Sequence, residues 1–293
     1  MNAVRLVVAI PFGLILGSFN TVAIHRIPRG ESLAAPRSRC PVCGTQLRNF
    51  DNVPLFSWLL LRGRCRSCGA RISPVYPLTE LATAGMFAAA ALTFDRVWVA
   101  LMMAPFLGLM VVLAVIDIRH RIIPNRLVYP SLLAFAAYIV VVGLLGGGLD
   151  VIRAAIGMLA YGGALLVVAF ISPRGMGMGD VKLAALIGLV LGSLGLRYVT
   201  VAAGVGILLG GVGAIVALIA GASRKNAIPF GPFLAAGALV SAFLAPQISS
   251  FYLRYVTSSG PSRPAFPNGR PSLYTRDEPP FCSVTSVAFE QKS

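Results

Sequence analysis

The sequence Gly175-Met176-Gly177-Met178-Gly179-Asp180 leads directly into the apolar run VKLAALIGLVLGSLGL, residues 181–196. A carboxylate at the boundary of such a run is costly in a membrane unless it has a function. A second acid has the same placement, because Asp117 ends the apolar run Val97–Ile116. We therefore expect Asp117 and Asp180 to be partners in one site.

The composition indicates a membrane protein. The chain is 57% hydrophobic and only 12% charged, whereas a soluble domain carries about 25% charged residues. Its apolar runs have the length that crosses a bilayer, about 20 residues. We predict an all-α membrane protein, a polytopic bundle of about eight transmembrane helices. The expected spans are Val4–Ile24, Leu78–Phe94, Val97–Ile116, Leu127–Leu145, Val151–Ile171, Val181–Leu196, Tyr198–Ala220 and Phe233–Tyr252.

The basic residues predict how the bundle is oriented. Sixteen Lys and Arg fall in loops on one side of the predicted spans, and four fall on the other side before residue 254. Since cytoplasmic loops carry the excess of Lys and Arg, the N-terminus is predicted outside. Asp117 then closes an outside-to-inside helix and Asp180 opens an inside-to-outside one, so both face the cytoplasm. Basic residues that follow the loops between predicted spans argue against nucleic-acid binding, although the net charge is +15.

The first apolar run, residues 4–24, is predicted to be a retained helix. A secretory signal would carry its basic residues before the apolar run, but here His25, Arg26 and Arg29 follow it. The polar residues 256–293 are rich in Pro and Ser and lack periodicity, which predicts a disordered tail. Cys282 stands alone in that tail and is expected to be incidental.

Four cysteines lie in the long loop 26–77. Cys40-Pro-Val-Cys43 and Cys65-Arg-Ser-Cys68 form two C-x2-C pairs, separated by 21 residues and each followed by Gly. Four thiolates at this spacing satisfy tetrahedral zinc in a closed, structural site. Two disulfides or a redox dithiol are the alternative, which a reducing cytoplasmic compartment disfavours. The expected architecture is thus a helical bundle with a cytoplasmic zinc-knuckle loop.

The paired acids indicate general acid and base catalysis of hydrolysis. One carboxylate activates water, and the other, protonated, donates to the substrate carbonyl. The alternative is that each Asp stabilises a helix end, which suits Asp180 at a helix start but not Asp117 at a helix end. The sequence contains no Walker A motif, no H-E-x-x-H and no G-x-S-x-G.

Other polar residues near the predicted membrane boundary have open roles. Lys182 and Arg119 are expected either to modulate the acids or to meet lipid headgroups. His25, beside Arg26, is expected to contact headgroups or position a substrate, and His120 to be a polar loop residue. Glu80 is either a third functional acid or a side chain that reaches from its span to the interface.

Together, these residues resemble a known family, the type IV prepilin peptidases. The resemblance covers residues 13–245 and rests on motifs that occur in the family's order. They are Gly17-Ser18-Phe19, Ile24-His25-Arg26-Ile27-Pro28, Ser38-Arg39-Cys40-Pro41-x-Cys43, Leu61-Arg62-Gly63-Arg64-Cys65-Arg66-x-Cys68, Tyr76-Pro77-x-x-Glu80, Ile116-Asp117, Gly177-Met178-Gly179-Asp180-Val181-Lys182-Leu183 and Ile228-Pro229-Phe230-Gly231-Pro232-Phe233.

The resemblance implies an aspartic endopeptidase of the GxGD class in the bacterial inner membrane. Such an enzyme removes the short basic leader of type IV prepilins or pseudopilins at the cytoplasmic face. Asp117 and Asp180 match the catalytic aspartates, and Gly177 and Gly179 match the glycines of the motif. Members with a loop of four cysteines commonly also methylate the new N-terminus, using S-adenosylmethionine.

The expected organisation has four parts: a first helix, 1–25; the four-cysteine zinc loop, 26–77, a candidate methyltransferase part; the transmembrane peptidase domain, 78–255; and the tail. The sequence departs from the family pattern at Arg119 and Asn125, where many relatives carry acids, and at Asn20-Thr21, where Leu-Asn is usual. Two alternatives stay open: a peptidase without methyl transfer, and a zinc-knuckle membrane scaffold or transporter.

Overall fold

The computed structural model describes residues 2–33, 38–172, 176–220 and 229–258, without the side chains of Asn49 and of residues beyond 250. These residues form helices, two short 3-10 turns and connecting loops, with no strand in the described ranges. The helices are α1 Asn2–Arg26, α2 Phe56–Leu60, α3 Val75–Thr93, α4 Val97–His120, α5 Asn125–Leu144, α6 Val151–Ile171, α7 Met178–Leu194, α8 Leu196–Ile219 and α9 Gly231–Ser258.

The predicted membrane bundle is confirmed. Seven of the described helices, α1, α3 to α6, α8 and α9, are long and apolar enough to cross a membrane. The eighth predicted span corresponds to α7, which has only 17 residues. Helix α7 is surrounded by other helices, since almost every residue from Val181 to Ser193 is buried or half-buried, so lipid thickness does not set its length.

Several helices extend beyond their apolar runs. Helix α4 continues from Ile116 through Asp117 to His120, and α9 continues to Ser258, which places its last residues within the predicted tail. Polar side chains end an apolar pattern without ending backbone hydrogen bonding. The described residues do not include the rest of the tail, which contains Cys282, or Gly175. They also do not include four of the sixteen loop cations, Arg37, Arg174, Arg224 and Lys225.

Two buried helices form the core. Helix α4 contacts α1, α3, α5 and α9, and buries Met102, Met103 and Phe106 completely or almost completely. Helix α7 contacts α5, α6, α8 and α9. Helix α9 thus touches both, which places the end of α4 and the starts of α7 and α9 at one end of the bundle.

Glycines allow the closest helix contact, between α6 and α7. A Cβ on Gly188 would lie 2.2 Å from the Gly157 carbonyl oxygen, and one on Gly192 would lie 2.6 Å from the Arg153 carbonyl oxygen. Backbones at this separation leave no room for any side chain. The same interface orients the first turn of α7, where Asp180 lies.

Candidate active site and metal centre

Asp117 is buried in the last turn of α4, where it is 4% exposed. The negative end of the α4 dipole disfavours a carboxylate at this position. The first residue of α9 offsets this, because the Gly231 N–H donates a hydrogen bond of 3.0 Å to Asp117 Oδ2. The positive N-terminal end of α9 is therefore directed at the Asp117 carboxylate.

Asp180 lies in the first turn of α7, three residues after Gly177, which is the N-cap. Its own N–H donates 3.0 Å to the Gly177 carbonyl oxygen, closing that turn. A carboxylate in a first turn is favoured by the positive end of the helix dipole. Each acid thus lies at the N-terminal end of a helix. Asp180 lies at the start of α7, and Asp117 lies against the start of α9.

Ile123, in the connection between α4 and α5, lies between the two helix starts. A Cβ on Gly179 would lie 2.9 Å from Ile123 Cβ, and one on Gly231 would lie 3.2 Å from Ile123 Cδ1 and 2.6 Å from Asp117 Oδ2. Gly231, which bonds to Asp117, and Gly179, which precedes Asp180, thus contact the same side chain. The structure therefore brings together the two acids that the sequence pairs.

The two described glycines of the GMGMGD motif differ in their surroundings. Gly179 packs against Ile123, so a side chain there would displace the connection. Gly177 is exposed, and a Cβ on it would meet only Asp180 Oδ2 at 3.6 Å and the Gly179 nitrogen at 3.9 Å. Gly179 thus serves packing, whereas Gly177 leaves accessible backbone beside Asp180.

Lys182 joins α7 to the start of α5 and makes no ion pair with the acids in the described residues. Its Nζ donates a hydrogen bond of 3.0 Å to Asn125 Oδ1 and lies 4.9 Å from the centre of the Tyr129 ring. Asn125 is the position where the family resemblance predicts an acid. The amide oxygen of Asn125 keeps an acceptor for Lys182 there.

A cleft of about 300 Å³ opens between the ends of α1 and α4 and the start of α3. Two residues that the sequence singles out, His25 and Arg119, line this cleft. Arg119 follows Asp117 by two residues. Arg26 does not line it, because its guanidinium donates to the carbonyl oxygens of Ser32 and Leu33. The lining residues are Thr21, Ile24, His25, Arg29, Val75, Tyr76, Thr79, Arg119 and His120.

Glu80 is buried between α1 and the cysteine loop, residues 38–74. It is 8% exposed, and its Oε2 accepts a hydrogen bond of 2.7 Å from the Leu55 N–H. On the opposite helix, a Cβ on Gly17 would lie 2.7 Å from Glu80 Cα. Glu80 therefore does not reach to the interface as a snorkelling side chain; it binds the loop to the bundle.

The four cysteines converge on one point. Their Sγ atoms all lie within 4.8 Å of one another, and those of Cys40 and Cys68 are 3.8 Å apart. Thiolates about 2.3 Å from a tetrahedral zinc ion lie about 3.8 Å from one another, whereas a disulfide brings two sulfurs to about 2.05 Å. All four thiols are free, so the geometry fits a zinc site and not the alternative of two disulfides.

Each cysteine pair sits on a tight turn. The N–H groups of Gly44 and Gly69 donate 2.9 Å to the carbonyl oxygens of Cys40 and Cys65, and both glycines have a positive φ, +70° and +69°. Glycine adopts this conformation without strain. The hydroxyl of Thr45, 3.3 Å from Cys43 Sγ, is the main cause that lowers the pKa of Cys43 to about 6.

Sequence reasoning assigned no role to Ile123, Leu55 or the N–H of Gly231. The Pro229-Phe230-Gly231-Pro232 sequence was the available signal for Gly231, since a glycine between prolines at a helix start leaves one N–H free for a partner. Ile123 and Leu55 carry no such signal, because an apolar side chain and a backbone N–H are common to most loops.

Comparison with known proteins agrees with this geometry. A family model of the Bacterial Peptidase A24 N-terminal domain matches residues 11–94, and one of the Type IV leader peptidase family matches residues 104–215. The first range includes the four cysteines and Glu80. The second includes Asp117 and Asp180. No solved structure gives a significant match.

Curated relatives carry the name prepilin leader peptidase/N-methyltransferase. One from Bacillus subtilis (strain 168) is 38% identical over 246 residues, covering 83% of this chain and 96% of the relative. One from Aeromonas hydrophila is 33% identical over 267 residues, covering 83% and 91%. One from Burkholderia pseudomallei (strain 1026b) is 34% identical over 283 residues, covering 86% and 88%. The chain therefore belongs to the type IV leader peptidase family.

Proposed function

We propose that this protein is a membrane aspartic endopeptidase that removes the leader of type IV prepilins or pseudopilins, with Asp117 and Asp180 as the catalytic pair. The observation that carries the proposal is that Gly231, which contacts Asp117, and Gly179, which precedes Asp180, both pack against Ile123. The supporting observation is family membership, because the relatives are named for leader cleavage.

In the proposed mechanism, the two aspartates act as one acid and base pair. The ionised carboxylate takes a proton from water, whose oxygen adds to the carbonyl carbon of the scissile peptide. The protonated partner donates its proton to the carbonyl oxygen. When the tetrahedral intermediate collapses, the C–N bond breaks, the departing nitrogen takes a proton from the pair, and a hydroxyl of the intermediate returns its proton to the pair as the carboxylic acid product forms. The Gly231 N–H keeps Asp117 in place throughout.

The proposed location is the bacterial inner membrane, with the acids toward the cytoplasm. The excess of Lys and Arg on the side of the bundle that carries Asp117 and Asp180 supports this orientation. The exposed backbone at Gly177 is then the place where an extended leader segment lies beside Asp180. A substrate entering from the cytoplasm reaches this backbone without crossing the bundle.

The test is cleavage of a purified prepilin by the reconstituted full chain. We expect Asp117→Asn and Asp180→Asn each to lower the cleavage rate about 100-fold or more, the scale of a lost general acid or base. Asp150→Asn is the matched control. Asp150 caps α6 by accepting from the Arg153 N–H at 2.9 Å, and Asn caps a helix equally well. Cleavage at the normal rate by either of the first two variants, with Asp150→Asn also normal, would refute the two-aspartate mechanism.

We further propose that the protein methylates the N-terminus that cleavage exposes, with S-adenosylmethionine as the donor. When bound, the donor supplies an electrophilic methyl group, which the uncharged amine of the substrate accepts. The cleft beside α4 fits this ligand in chemistry: Tyr76 offers a ring for stacking, and Arg29 and Arg119 offer guanidinium groups for its carboxylate. This cleft lies one turn from Asp117, so the cleaved substrate has a short path between the two sites.

Methyl transfer is tested apart from cleavage by supplying a mature pilin peptide that already has its free N-terminus. With the donor present, we expect mass spectrometry to show the mass of one added methyl group. Tyr76→Ala is expected to lower this methylation while leaving prepilin cleavage unchanged. Asp180→Asn is expected to do the reverse. If the wild-type protein does not methylate the mature peptide, the methyltransferase proposal is refuted and only the peptidase proposal remains.

The cysteine site is proposed to hold one structural zinc ion. Four thiolates complete the tetrahedral coordination of zinc and leave no position open for substrate. The loop has a small apolar core, so the ion would supply much of the free energy that keeps it folded. Cys40, Cys43, Cys65 and Cys68 would be the ligands.

A further inference from the structure

A short helix of the cysteine loop exposes large apolar side chains. In α2, Phe56 is 60% exposed, Leu59 57% and Leu60 82%. The other side of α2 contacts the rest of the cysteine loop. The Ser57 hydroxyl donates to the Phe50 carbonyl oxygen at 2.7 Å, and the Trp58 indole N–H donates to the Ile72 carbonyl oxygen at 3.3 Å. The outward face of α2 therefore has no protein partner among the described residues. A contiguous apolar face of this kind indicates a binding surface.

Positive charge surrounds this apolar face. A groove of about 400 Å³ beside α2 is lined by Trp58, Arg62, Arg64 and Arg71. Residues 38–74 contain six Arg and one acid, and that acid, Asp51, is engaged by Arg66 at 2.8 Å. Within the described ranges, no carboxylate pairs with the three groove arginines. An anionic partner fits this groove.

Leu55 of the cysteine loop lies alongside α1 and α3 and not beyond the ends of these helices. Glu80, which binds the Leu55 N–H, is five residues into α3, or about 7.5 Å along the helix at 1.5 Å per residue. Gly17, which packs on Glu80, is nine residues before the end of α1, or about 13.5 Å. Although the Glu80 side chain leans toward the start of α3, Leu55 stays at the level of the first two turns. The residues that follow, beginning with Phe56, therefore start beside the first two turns of α3, near the predicted membrane boundary at Leu78.

The position of α2 is fixed by both of its ends. Before it, Leu55 has a φ of +62°, and the Phe56 N–H donates 2.6 Å to the Pro54 carbonyl oxygen in a tight turn. After it, a Cβ on Gly63 would lie 2.9 Å from the Trp58 ring. The loop is therefore built to hold α2 in one orientation relative to the cysteine cluster and to α3.

We propose that α2 is a membrane-dipping element that docks the cysteine loop on an anionic phospholipid leaflet. Phe56, Leu59 and Leu60 lie among the upper acyl chains. The groove arginines, Arg62, Arg64 and Arg71, bind lipid phosphates, as basic groups beside an inserted apolar face do. The leaflet is the one at the end of the bundle where α1 ends and α3 begins. The insertion of α2 is inferred without the peptidase assignment, and only the argument against a basic leader as the occupant rests on it.

Another occupant of the face is an apolar polypeptide, such as a substrate segment. Two observations favour lipid. The three groove arginines would repel the basic leader that the family resemblance implies for the substrate. In addition, the hydrogen bond between Leu55 and Glu80 places the start of α2 beside the first two turns of α3, next to the predicted membrane boundary, where lipid is the nearest apolar partner.

The test uses tryptophan quenching by bromine on the acyl chains of phosphatidylcholine vesicles that contain phosphatidylglycerol. The full chain carries Trp98→Phe, so that Trp58 is the constant background signal. Leu60→Trp is the probe, and Phe56→Trp is the second probe in case the first misfolds. Leu133→Trp is the reference for quenching in full contact with lipid, because Leu133 on α5 is 69% exposed. Val42→Trp is the reference for quenching in water, because Val42, on the first cysteine turn, is 71% exposed. Cleavage activity and zinc content check each variant for folding.

We expect the added tryptophan at 60 to be quenched nearly as strongly as that at 133, and the one at 42 to be unaffected. Replacing the three groove arginines by Gln should reduce quenching at 60 in vesicles with phosphatidylglycerol, and less in phosphatidylcholine alone. If positions 60 and 56 behave like position 42, the insertion is refuted. Quenching at 60 that changes neither with the arginine replacements nor with the lipid charge would refute the proposal that the arginines bind anionic lipid. Quenching at 60 that a bound prepilin abolishes shows that the face belongs to the substrate.

Discussion

At the scale of single residues, the site depends on a backbone N–H. Gly231 donates to Asp117 from the first residue of α9, and this is the only hydrogen bond that the described residues give to that carboxylate. A buried carboxylate without a donor is costly, because burial removes the water that stabilises its charge. The geometry of the acid pair is therefore set by a residue that has no side chain.

Gly231→Ala is predicted to lower the cleavage rate about 100-fold, the effect expected of a catalytic group misplaced by about 1 Å. The reason is steric, since the new Cβ would lie 2.6 Å from Asp117 Oδ2. Gly177→Ala is the matched comparison within the same site. Its Cβ finds room, so we expect a folded enzyme with a raised KM for prepilin, because a methyl group there narrows the accessible backbone. Steady-state kinetics on both variants separates the two effects, and equal kinetic parameters for Gly231→Ala and the wild type would contradict the first.

The sequence predicted the acids and their common side of the membrane, but not their contacts. Asp117 and Asp180 are visible because charges at the ends of apolar runs stand out, and the basic loops place both on one side. The bond from Gly231 joins residues 114 positions apart, and no local pattern encodes such a distance. The same holds for Glu80, whose partner Leu55 is identified by its backbone N–H and not by its side chain.

At the scale of elements, the cysteine loop is a small unit held to the bundle by few contacts. Two glycine turns present the cysteines, Trp58 packs under Gly63, and Glu80 binds Leu55. The chain pattern predicted that the four cysteines come together, because two C-x2-C pairs are specific. It did not predict α2, since five residues are too few to show helical periodicity.

Cys65→Ser is predicted to remove the metal and unfold the loop, because three thiolates and a hydroxyl bind zinc much more weakly than four thiolates. Purified protein should contain close to one zinc ion per chain for the wild type and little for the variant, measured by atomic emission. Limited proteolysis should then cut the variant within residues 44–64. Cys282→Ser serves as the control and should keep the zinc. Wild-type protein that is free of metal, with all four thiols reactive, would disprove the zinc site.

At the scale of the whole molecule, the bundle is organised around α4 and α7, each of which carries one of the paired acids. The span predictions succeeded because lipid demands long apolar runs. They described α7 least well, since a helix enclosed by other helices obeys packing and not bilayer thickness. Its glycines, Gly188 and Gly192, meet the backbone of α6 at close contact.

Gly188→Ala is predicted to destabilise the bundle by about 1 to 3 kcal/mol, the usual range for overpacking a tight core. Its Cβ would lie 2.2 Å from the Gly157 carbonyl oxygen, and backbone cannot easily move away. Gly163→Ala, on α6, is the control, because its Cβ meets nothing within 4 Å. Thermal unfolding in detergent should show a lower midpoint for the first variant and no decrease for the second. A midpoint equal to the wild type for Gly188→Ala would mean that α6 and α7 are further apart.

The hydrogen bond from Gly231 to Asp117 also has a consequence for biosynthesis. Asp117 leaves the ribosome well before Asp180 and more than a hundred residues before Gly231, so α4 enters the membrane with its carboxylate still lacking a donor. The contacts of the proposed catalytic pair are complete only after the last helix has been inserted and has docked against α4. A nascent chain stalled before α9 therefore carries both aspartates, while Asp117 still lacks the one hydrogen-bond donor that the described residues give it.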